Sequence, residues 1–130
     1  MGSKQRILVV DDDQTILNLV RITLEHEGYE VILAQDGQIA LDYFRKEEID
    51  LAIVDIAMPV MDGYEVIQEM HKIKSQSKRV PIVILSAHDQ EVMRDYAAEL
   101  GVDAYLTKPM TAKQLKTHVE RLIGEARPAP

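Results

Sequence analysis

The sequence predicts an α/β fold of five β-α units, in which helices cover both faces of a doubly wound, parallel, five-stranded sheet. Five short apolar runs, rich in β-branched residues, recur at residues 7–10, 31–34, 51–54, 82–85 and 104–106. These runs are nearly continuous rather than alternating, which is typical of strands buried on both faces. Helix-length segments separate them, and regular β-α alternation implies right-handed crossovers between parallel strands.

The first two helices are predicted from the apolar segments that follow the first two strands. The first should end before Gly28, because glycine suits the position just after a helix. Its expected core-facing stripe is Ile16, Leu19, Val20 and Thr23. The second follows Asp36, which is expected to act as a cap or turn residue. Its expected core residues are Ile39, Ala40, Tyr43 and Phe44.

The third and fifth helices are predicted from capping-box spacings, in which a cap residue precedes Glu or Gln by three positions. Asp62 with Glu65 opens the third helix, and Thr111 with Gln114 opens the fifth. The fourth helix is expected to start near Asp89 and to stop before a glycine at position 101. The apolar residues expected to pack inward are Val66, Ile67 and Met70 in the third helix, and Leu115, Val119 and Leu122 in the fifth.

Length and composition favour one domain that binds neither nucleic acid nor a membrane. We expect an N-terminal extension at residues 1–5, whose Gly-Ser start fits a cloning remnant, a domain at 6–124, and a proline-rich tail or truncated linker at 125–130. The net charge of −7 disfavours binding to phosphate backbones. The chain has no cysteine, apolar membrane span or signal peptide, so we expect a cytoplasmic protein.

Polar residues follow four of the five predicted strands, at the sheet edge where parallel α/β folds bind ligands. Strand one is followed by residues 11–13, all aspartate, and strand three by Asp55. Strand four ends in Ser86 and strand five runs into Thr107-Lys108-Pro109, whereas strand two is followed only by turn residues. Strand order 2-1-3-4-5 brings the acids of strands one and three together and leaves strand two at an edge.

Three carboxylates in one cleft predict a binding site for a hard divalent cation. Unit charges about 4 Å apart repel by roughly 4 kcal/mol at an effective dielectric of 20, so Asp11, Asp12 and Asp55 need a counter-charge. Mg²⁺ prefers oxygen ligands and binds through one or two carboxylates together with a phosphoryl oxygen. Zinc is disfavoured because the chain lacks cysteine and paired histidines. Asp13 is instead predicted to cap the first helix.

The same residues suit phosphoryl transfer, whose transition state spreads negative charge over three equatorial oxygens. Asp55 is the candidate nucleophile, since carboxylates form aspartyl phosphates. Mg²⁺, the Lys108 ammonium and the Ser86 hydroxyl with a backbone N–H would each hold one oxygen. The predicted catalytic residues are therefore Asp55, Lys108 and Ser86.

With these residues, the chain resembles a known family, the receiver domain of the response regulators of two-component and phosphorelay signalling. The motifs that carry the resemblance are VVDD at residues 9–12, VDIAMPVMDG at 54–63, Ser86-Ala87 and YLTKP at 105–109. Each is weak alone, but together they occur in order at matching strand ends. The resemblance covers the chain from Ile7 to about Ile123 and implies a flavodoxin-like fold.

The resemblance also implies a metal site around the phosphoacceptor Asp55. Asp12 would bind Mg²⁺ directly and Asp11 partly through water, with Asp55 and the backbone carbonyl of Ala57 as further ligands. Lys108 would pair with the phosphoryl group and precede a cis peptide bond to Pro109.

A switch of shape is the second implication of the resemblance. Ser86 would turn toward the phosphoryl group while Tyr105 swings inward, although a plain packing role for Tyr105 fits the strand pattern equally well. The altered surface would be helix four, strand five and helix five.

The resemblance also implies partners. The phosphodonor would be a phosphohistidine on a sensor histidine kinase or a histidine phosphotransfer protein. The output would pass to a downstream protein or a covalently linked domain, and homodimerisation is compatible with the family.

Three positions depart from or vary within the family pattern. Met110 stands where many receivers carry Phe, and Ala57 and His88 occupy positions that tune dephosphorylation.

A receiver domain is a signalling switch, and its only expected activities are self-phosphorylation and autodephosphorylation. Two alternative functions stay open beside it. One is a Mg²⁺-dependent phosphohydrolase with an aspartyl-phosphate intermediate, although no second acid follows Asp55 at the spacing that would protonate a leaving group. The other is a binding module that does not use phosphorylation.

Overall fold

The computed structural model describes residues 4–87 and 91–126 and shows five parallel strands in the order β2-β1-β3-β4-β5. The predicted α/β architecture and strand order are therefore confirmed. The elements along the chain are β1 (Arg6–Val10), α1 (Gln14–His26), β2 (Glu30–Ala34), α2 (Gly37–Lys46), β3 (Leu51–Asp55), α3 (Gly63–Lys72), β4 (Ile82–Ser86), α4 (Glu91–Glu99), β5 (Ala104–Thr107) and α5 (Ala112–Ala126).

The register of the sheet brings the ends of the strands level with one another. Val10 is the partner of Val54, Asp55 is the partner of Leu85, and Ser86 is the partner of Thr107. Because the strands are parallel, their carboxyl ends lie along one edge of the sheet. The residues that follow β1, β3, β4 and β5 therefore meet at that edge.

Alternate residues of the strands pack into two hydrophobic cores, one on each face of the sheet. Ile7, Ile53 and Val83 pack with α1 and α5, whereas Leu8 and Ile84 pack with α2, α3 and α4. Every residue of β3 and β4 is buried, as expected for central strands covered on both faces. β2 lies at the edge and is only partly buried.

The predicted helix caps are confirmed by their hydrogen bonds. The side chains of Asp13, Asp36 and Asp62 accept hydrogen bonds from backbone N–H groups in the first turns of α1, α2 and α3. At the start of α5, the backbone N–H of Thr111 donates to Gln114, whose own N–H donates to the Thr111 hydroxyl. Each cap satisfies a donor that the helix itself leaves unpaired.

The predicted inward faces of α1 and α2 are wrong in part. In α1 the buried residues are Leu17, Val20 and Leu24, while Leu19 is 55% exposed. α1 carries two overlapping apolar stripes, and burial against β1 and α5 selects between them. In α2 Leu41 is buried beside Ala40 and Phe44, whereas Ile39 and Tyr43 are exposed. The Thr23 hydroxyl bonds its own helix, donating to the carbonyl of Leu19.

Three predicted helix ends lie in the second half of the chain. Asp89, the expected start of the fourth helix, lies outside the described residues, and α4 is described from Glu91. α4 stops before Gly101, whose positive φ of 79° suits a glycine after a helix. α5 continues to Ala126, two residues beyond the expected boundary at Gly124. Within residues 4–87 and 91–126, no helix has the length and apolar character needed to cross a membrane.

Candidate phosphoacceptor site

An acidic cluster lies at the carboxyl edge of the sheet, between β1 and β3. Asp11 and Asp12 follow β1 directly, and Asp55 is the last residue of β3. Each of the three offers a carboxylate oxygen, and these oxygens all lie within 4.8 Å of one another. Asp11 and Asp55 are buried, whereas Asp12 is exposed to solvent. The cluster is therefore a small cleft with a buried floor and an open mouth.

Among the described residues, a single ammonium group reaches this cluster. Lys108 Nζ lies 3.0 Å from Asp11 Oδ2 and 3.6 Å from Asp55 Oδ2, and its side chain is only 20% exposed. The Lys108 backbone N–H donates to the carbonyl of Ser86 at 2.6 Å, which ties the end of β5 to the end of β4. The peptide bond between Lys108 and Pro109 is cis. The loop after β5 thus places the lysine beside acids that follow two other strands.

The carboxylates are held by backbone donors on their own loops. The Ala57 N–H donates to Asp55 Oδ1 at 3.2 Å, and the Asp13 N–H donates to Asp11 Oδ1 at 2.9 Å. Gly63 begins α3 so close to β3 that a Cβ atom there would lie 2.4 Å from the carbonyl oxygen of Asp55. Only glycine allows that approach, so the sequence Asp62-Gly63 fixes how the loop after Asp55 returns to the sheet.

The electrostatic balance of the site is unfavourable for the ionised Asp55. Burial above all, and then the negative charge of Asp11, raise the pKa of the Asp55 carboxyl from 3.8 to about 6. The Lys108 ammonium and the Ala57 N–H lower the pKa of Asp55, but they do not offset these effects. Three acids share one cation, so the cleft attracts a further positive charge.

The donor set of the cleft fits Mg²⁺. It consists of carboxylate oxygens at short mutual distances, on a chain without cysteine, and hard oxygen donors are the ligands that Mg²⁺ prefers. Ala57 sits at the mouth of the cleft on the same loop as Asp55 and is exposed.

The two expected switch residues lie on β4 and β5. Ser86 is fully buried at the end of β4, beside the lysine loop. Tyr105 is half-buried, and its ring lies beneath the guanidinium of Arg94, 4.7 Å from the Arg94 Cζ atom to the ring centroid. Asp11, Asp12, Asp55 and Lys108 thus form one cluster, and Tyr105 lies three residues before the lysine.

Sequence reasoning named Thr107 only as part of the segment after strand five, and it missed Arg94. The Thr107 hydroxyl accepts a hydrogen bond from Arg94 of α4 at 3.2 Å. Thr107 is adjacent to Lys108 in the sequence, which is a usable signal. Arg94 carries no such signal, since its contact with β5 depends on how α4 packs.

An apolar groove adjoins the lysine on the face of α1. The cavity has a volume of about 340 Å³, and Leu19, which α1 turns outward, forms part of its wall. The residues lining it are Ile16, Leu19, Val20, Leu85, Ala87, Lys108, Pro109 and Met110.

Comparison with protein families and curated sequences gives consistent matches. Residues 7–120 match the family described as response regulator receiver domain. The chain is 37% identical over 119 residues to the alkaline phosphatase synthesis transcriptional regulatory protein PhoP of Bacillus subtilis (strain 168), covering 92% of this chain and 48% of that protein. It is 39% identical over 125 residues to the probable transcriptional regulator ycf27 of Porphyra purpurea, covering 96% and 50%. The chain thus spans about half the length of these relatives.

Solved structures of similar fold cover nearly the whole chain. A CheY-like response regulator receiver domain protein from Methanospirillum hungatei JF-1 aligns with a TM-score of 0.88 at 31% identity, over 95% of this chain and 97% of that one. The receiver domain of sensor histidine kinase PA1611 from Pseudomonas aeruginosa PAO1 aligns with a TM-score of 0.84 at 30% identity, over 93% and 98%. That structure has a magnesium ion coordinated in its active site cleft.

Proposed function

Since the chain belongs to the response regulator receiver family, we propose that it accepts a phosphoryl group on Asp55 with Mg²⁺ bound and thereby switches a protein surface. The observation that carries this proposal is the charge imbalance around Asp55. A buried carboxylate with a raised pKa lies beside two further acids and a single lysine. A purely structural acid has no need of such neighbours, whereas a phosphoacceptor with a divalent cation does.

The proposed reaction transfers a phosphoryl group from a phosphohistidine to Asp55. An Asp55 carboxylate oxygen forms a bond to phosphorus as the phosphorus–nitrogen bond of the donor breaks, and the bonding electrons leave with the donor imidazole. Asp55 must be ionised to attack, and a pKa of about 6 leaves it largely ionised near neutral pH. The switch is reset by a separate step, in which water attacks the phosphorus of the aspartyl phosphate and releases inorganic phosphate.

The residues around Asp55 have distinct proposed roles in that step. Bound Mg²⁺ would be held by Asp11, Asp12, Asp55 and the Ala57 carbonyl, and it supplies positive charge for the phosphoryl oxygens. Lys108, with Nζ 3.6 Å from Asp55 Oδ2, pairs with a second phosphoryl oxygen. The Ser86 hydroxyl, from the neighbouring strand end, bonds a third oxygen.

The proposed output is a change on the surface formed by α4, β5 and α5. Ser86 and Tyr105 are the proposed switch residues, since one ends β4 beside the site and the other lies on β5 under α4. A covalent charge at Asp55 that draws the Ser86 hydroxyl inward biases such a two-state element.

The proposed partners follow from the family. The donor is a sensor histidine kinase or a histidine phosphotransfer protein, in the cytoplasm. The apolar groove beside Lys108 offers that donor a surface continuous with the site. The output is a downstream protein, a second copy of the chain, or a linked domain beyond a receiver at residues 6–124, an arrangement supported by relatives about twice as long.

The proposal is tested by incubating the chain with Mg²⁺ and acetyl phosphate and recording its intact mass. We expect one phosphoryl adduct that requires Mg²⁺ and is lost in Asp55→Asn. Asp13→Asn is the matched control, because asparagine caps a helix as well as aspartate does and Asp13 serves as a cap. Loss of the adduct in both variants, or its survival in Asp55→Asn, would contradict the proposal.

The same experiment separates the two alternatives. Continuous release of phosphate from phosphomonoesters, at many turnovers per chain, would favour a phosphohydrolase. A folded chain that binds Mg²⁺ and gains no adduct would favour a binding module. The receiver reading expects one adduct per chain, followed by its slow hydrolysis.

A further inference from the structure

Helix α4 is anchored to the rest of the domain by unusually little apolar burial. Ala97 is its one buried residue among those described, and Met93 is half-buried. By comparison α3, of similar length, buries Val66, Ile67 and Met70. Buried apolar area supplies most of the free energy that holds a helix to a sheet. The position of α4 therefore depends strongly on the contacts of its exposed side chains with neighbouring elements.

One residue of α4, Arg94, makes three contacts with β5. Its guanidinium lies 4.7 Å above the ring centroid of Tyr105, within the range of a cation–π interaction. Nη1 donates to the backbone carbonyl of Tyr105 at 3.4 Å, and Nη2 donates to the Thr107 hydroxyl at 3.2 Å. The planar fork of arginine is needed for this geometry, since a lysine offers one point charge in place of two directed donors.

These contacts lie beside the proposed phosphoacceptor site. Tyr105 and Thr107 are two positions apart on β5, so their side chains share the face of the sheet that α4 covers. Thr107 is the register partner of Ser86 and immediately precedes Lys108. Arg94 therefore bonds a residue that neighbours both the hydroxyl and the ammonium proposed to hold the phosphoryl group.

We propose that Arg94 is a positioning residue that latches α4 to β5 and so opposes the switch. This inference rests on the proposed function, in which Tyr105 moves inward as Ser86 turns toward the phosphoryl group. Arg94 is exposed and its guanidinium covers the ring of the half-buried Tyr105, so we expect an inward movement of Tyr105 to take the ring away from the guanidinium. The switched arrangement loses the cation–π contact, whereas the hydrogen bonds to the Tyr105 backbone carbonyl and the Thr107 hydroxyl do not involve the ring.

A latch of this kind has a measurable consequence at the phosphoacceptor site. A contact that stabilises only one of two arrangements lowers the affinity of any ligand that prefers the other, and removing the contact restores that affinity. Loss of Arg94 should therefore strengthen binding of a phosphoryl analogue at a site that Arg94 does not touch.

The test is titration of the chain with beryllium trifluoride in saturating Mg²⁺, comparing wild type with Arg94→Ala. We expect the variant to bind the analogue roughly two- to fivefold more tightly, from the strength of a cation–π contact at an exposed site. Arg45→Ala is the matched control, because it removes the same charge from an exposed helix position on α2. Arg45→Ala should bind like wild type.

Hydrogen exchange provides a second readout that does not depend on the ligand. The backbone amides of α4 should exchange faster in Arg94→Ala than in Arg45→Ala, while those of α3 should not change. Arg94→Lys should fall between wild type and Arg94→Ala in analogue affinity. Unchanged or weaker analogue binding in Arg94→Ala would overturn the latch. Failure of wild type to bind the analogue at all would instead count against the proposed function.

Discussion

At the amino end of the sheet Asp50 and Asp103 each have a cation of their own, whereas at the carboxyl end three acids share one among the described residues. Asp50 lies 2.5 Å from Lys78 Nζ, and Asp103 lies 2.6 Å from an Arg79 guanidinium nitrogen. Each of these two acids also accepts a hydrogen bond from a strand backbone N–H, at 2.7 and 2.9 Å respectively. Their charges are balanced, and their role is to hold loops to strand starts.

The acids at the carboxyl end lack this balance. Asp11, Asp12 and Asp55 converge on one another, and within residues 4–87 and 91–126 Lys108 is the one cation among them. Asp55 thus experiences a charge repulsion that Asp50 and Asp103 avoid. Residue type alone therefore does not distinguish a functional acid from a structural one. The distinguishing feature is negative charge that neighbouring groups leave uncompensated.

The largest expected effect comes from removing the one cation at the carboxyl end. Lys108→Met should slow phosphorylation by acetyl phosphate by on the order of 100-fold, because a directed charge on the transferring group is lost. Lys78→Met, which removes a cation from the amino end, should leave that rate unchanged and lower the free energy of unfolding by at most about 1 kcal/mol. Equal slowing in both variants would remove the distinction between the two ends.

At the amino end, by contrast, loss of hydrogen bonds between loops should lower the stability of the fold. The Gln76 side chain donates to the carbonyls of Phe44 and Glu47 and accepts from the N–H of Ile49, at 2.7 to 3.0 Å. Gln76→Leu removes these three hydrogen bonds, although Ser75 still donates to the carbonyl of Phe44 at 3.3 Å, and it should lower the free energy of unfolding by roughly 2–3 kcal/mol. Denaturant unfolding measures the effect, with Gln38→Leu as the exposed control. Phosphorylation of the folded variant should persist.

The acid surplus at the carboxyl end predicts a pH-dependent stability difference in Mg²⁺-free protein. The folded-state pKa of Asp55, about 6, is raised above its ordinary value of 3.8. The ionised carboxyl therefore destabilises the fold, and this cost develops as pH rises from about 4 to 6. Asp55→Asn should be more stable than wild type near neutral pH, by on the order of 1 kcal/mol after screening by solvent is allowed for.

The stability difference between Asp55→Asn and wild type should shrink as pH falls through about 6 toward 4. Thermal unfolding in a chelator, at a series of pH values, measures it. A difference that stays constant with pH would mean that repulsion around Asp55 is not its source.

The smallest expected effect concerns the loop that follows Asp55 at the carboxyl edge. Val60 is fully exposed with a positive φ of 68°, in a turn where the Met61 N–H donates to the Pro59 carbonyl at 2.8 Å. A β-branched residue is strained there, so Val60→Gly relieves strain but increases the entropy of the unfolded chain. We expect a net gain of about 0.5 kcal/mol in unfolding free energy. Val60→Ala, which keeps a Cβ atom, should gain less.

Much of the fold follows from the sequence because local chemistry and tertiary packing agree. The strands buried on both faces appear as apolar runs, and the caps at Asp13, Asp36 and Asp62 appear as local spacings. The inward face of α1 does not follow. Ile16, Leu17, Leu19 and further apolar residues allow two stripes, and only the sheet and α5 decide between them.

The candidate site likewise has one part that the sequence predicts and one part that it does not. That Asp11, Asp55 and Lys108 meet could be predicted, since parallel strand ends share one edge. The contact of Arg94 with β5 could not, because it depends on the rotation and distance of a weakly buried helix. Sequence reasoning therefore locates the proposed chemistry better than the elements that would transmit it.

The central claim is that Asp55 carries the phosphoryl group, and chemical mapping of the modified residue tests it most directly. The chain is phosphorylated with acetyl phosphate and Mg²⁺, reduced with borohydride, digested and sequenced by mass spectrometry. Borohydride reduces an aspartyl phosphate to homoserine, so we expect homoserine at position 55 and unmodified aspartate at positions 11 and 12. Homoserine at either of those positions, or none at position 55 in a chain that has gained a phosphoryl group, would contradict the account.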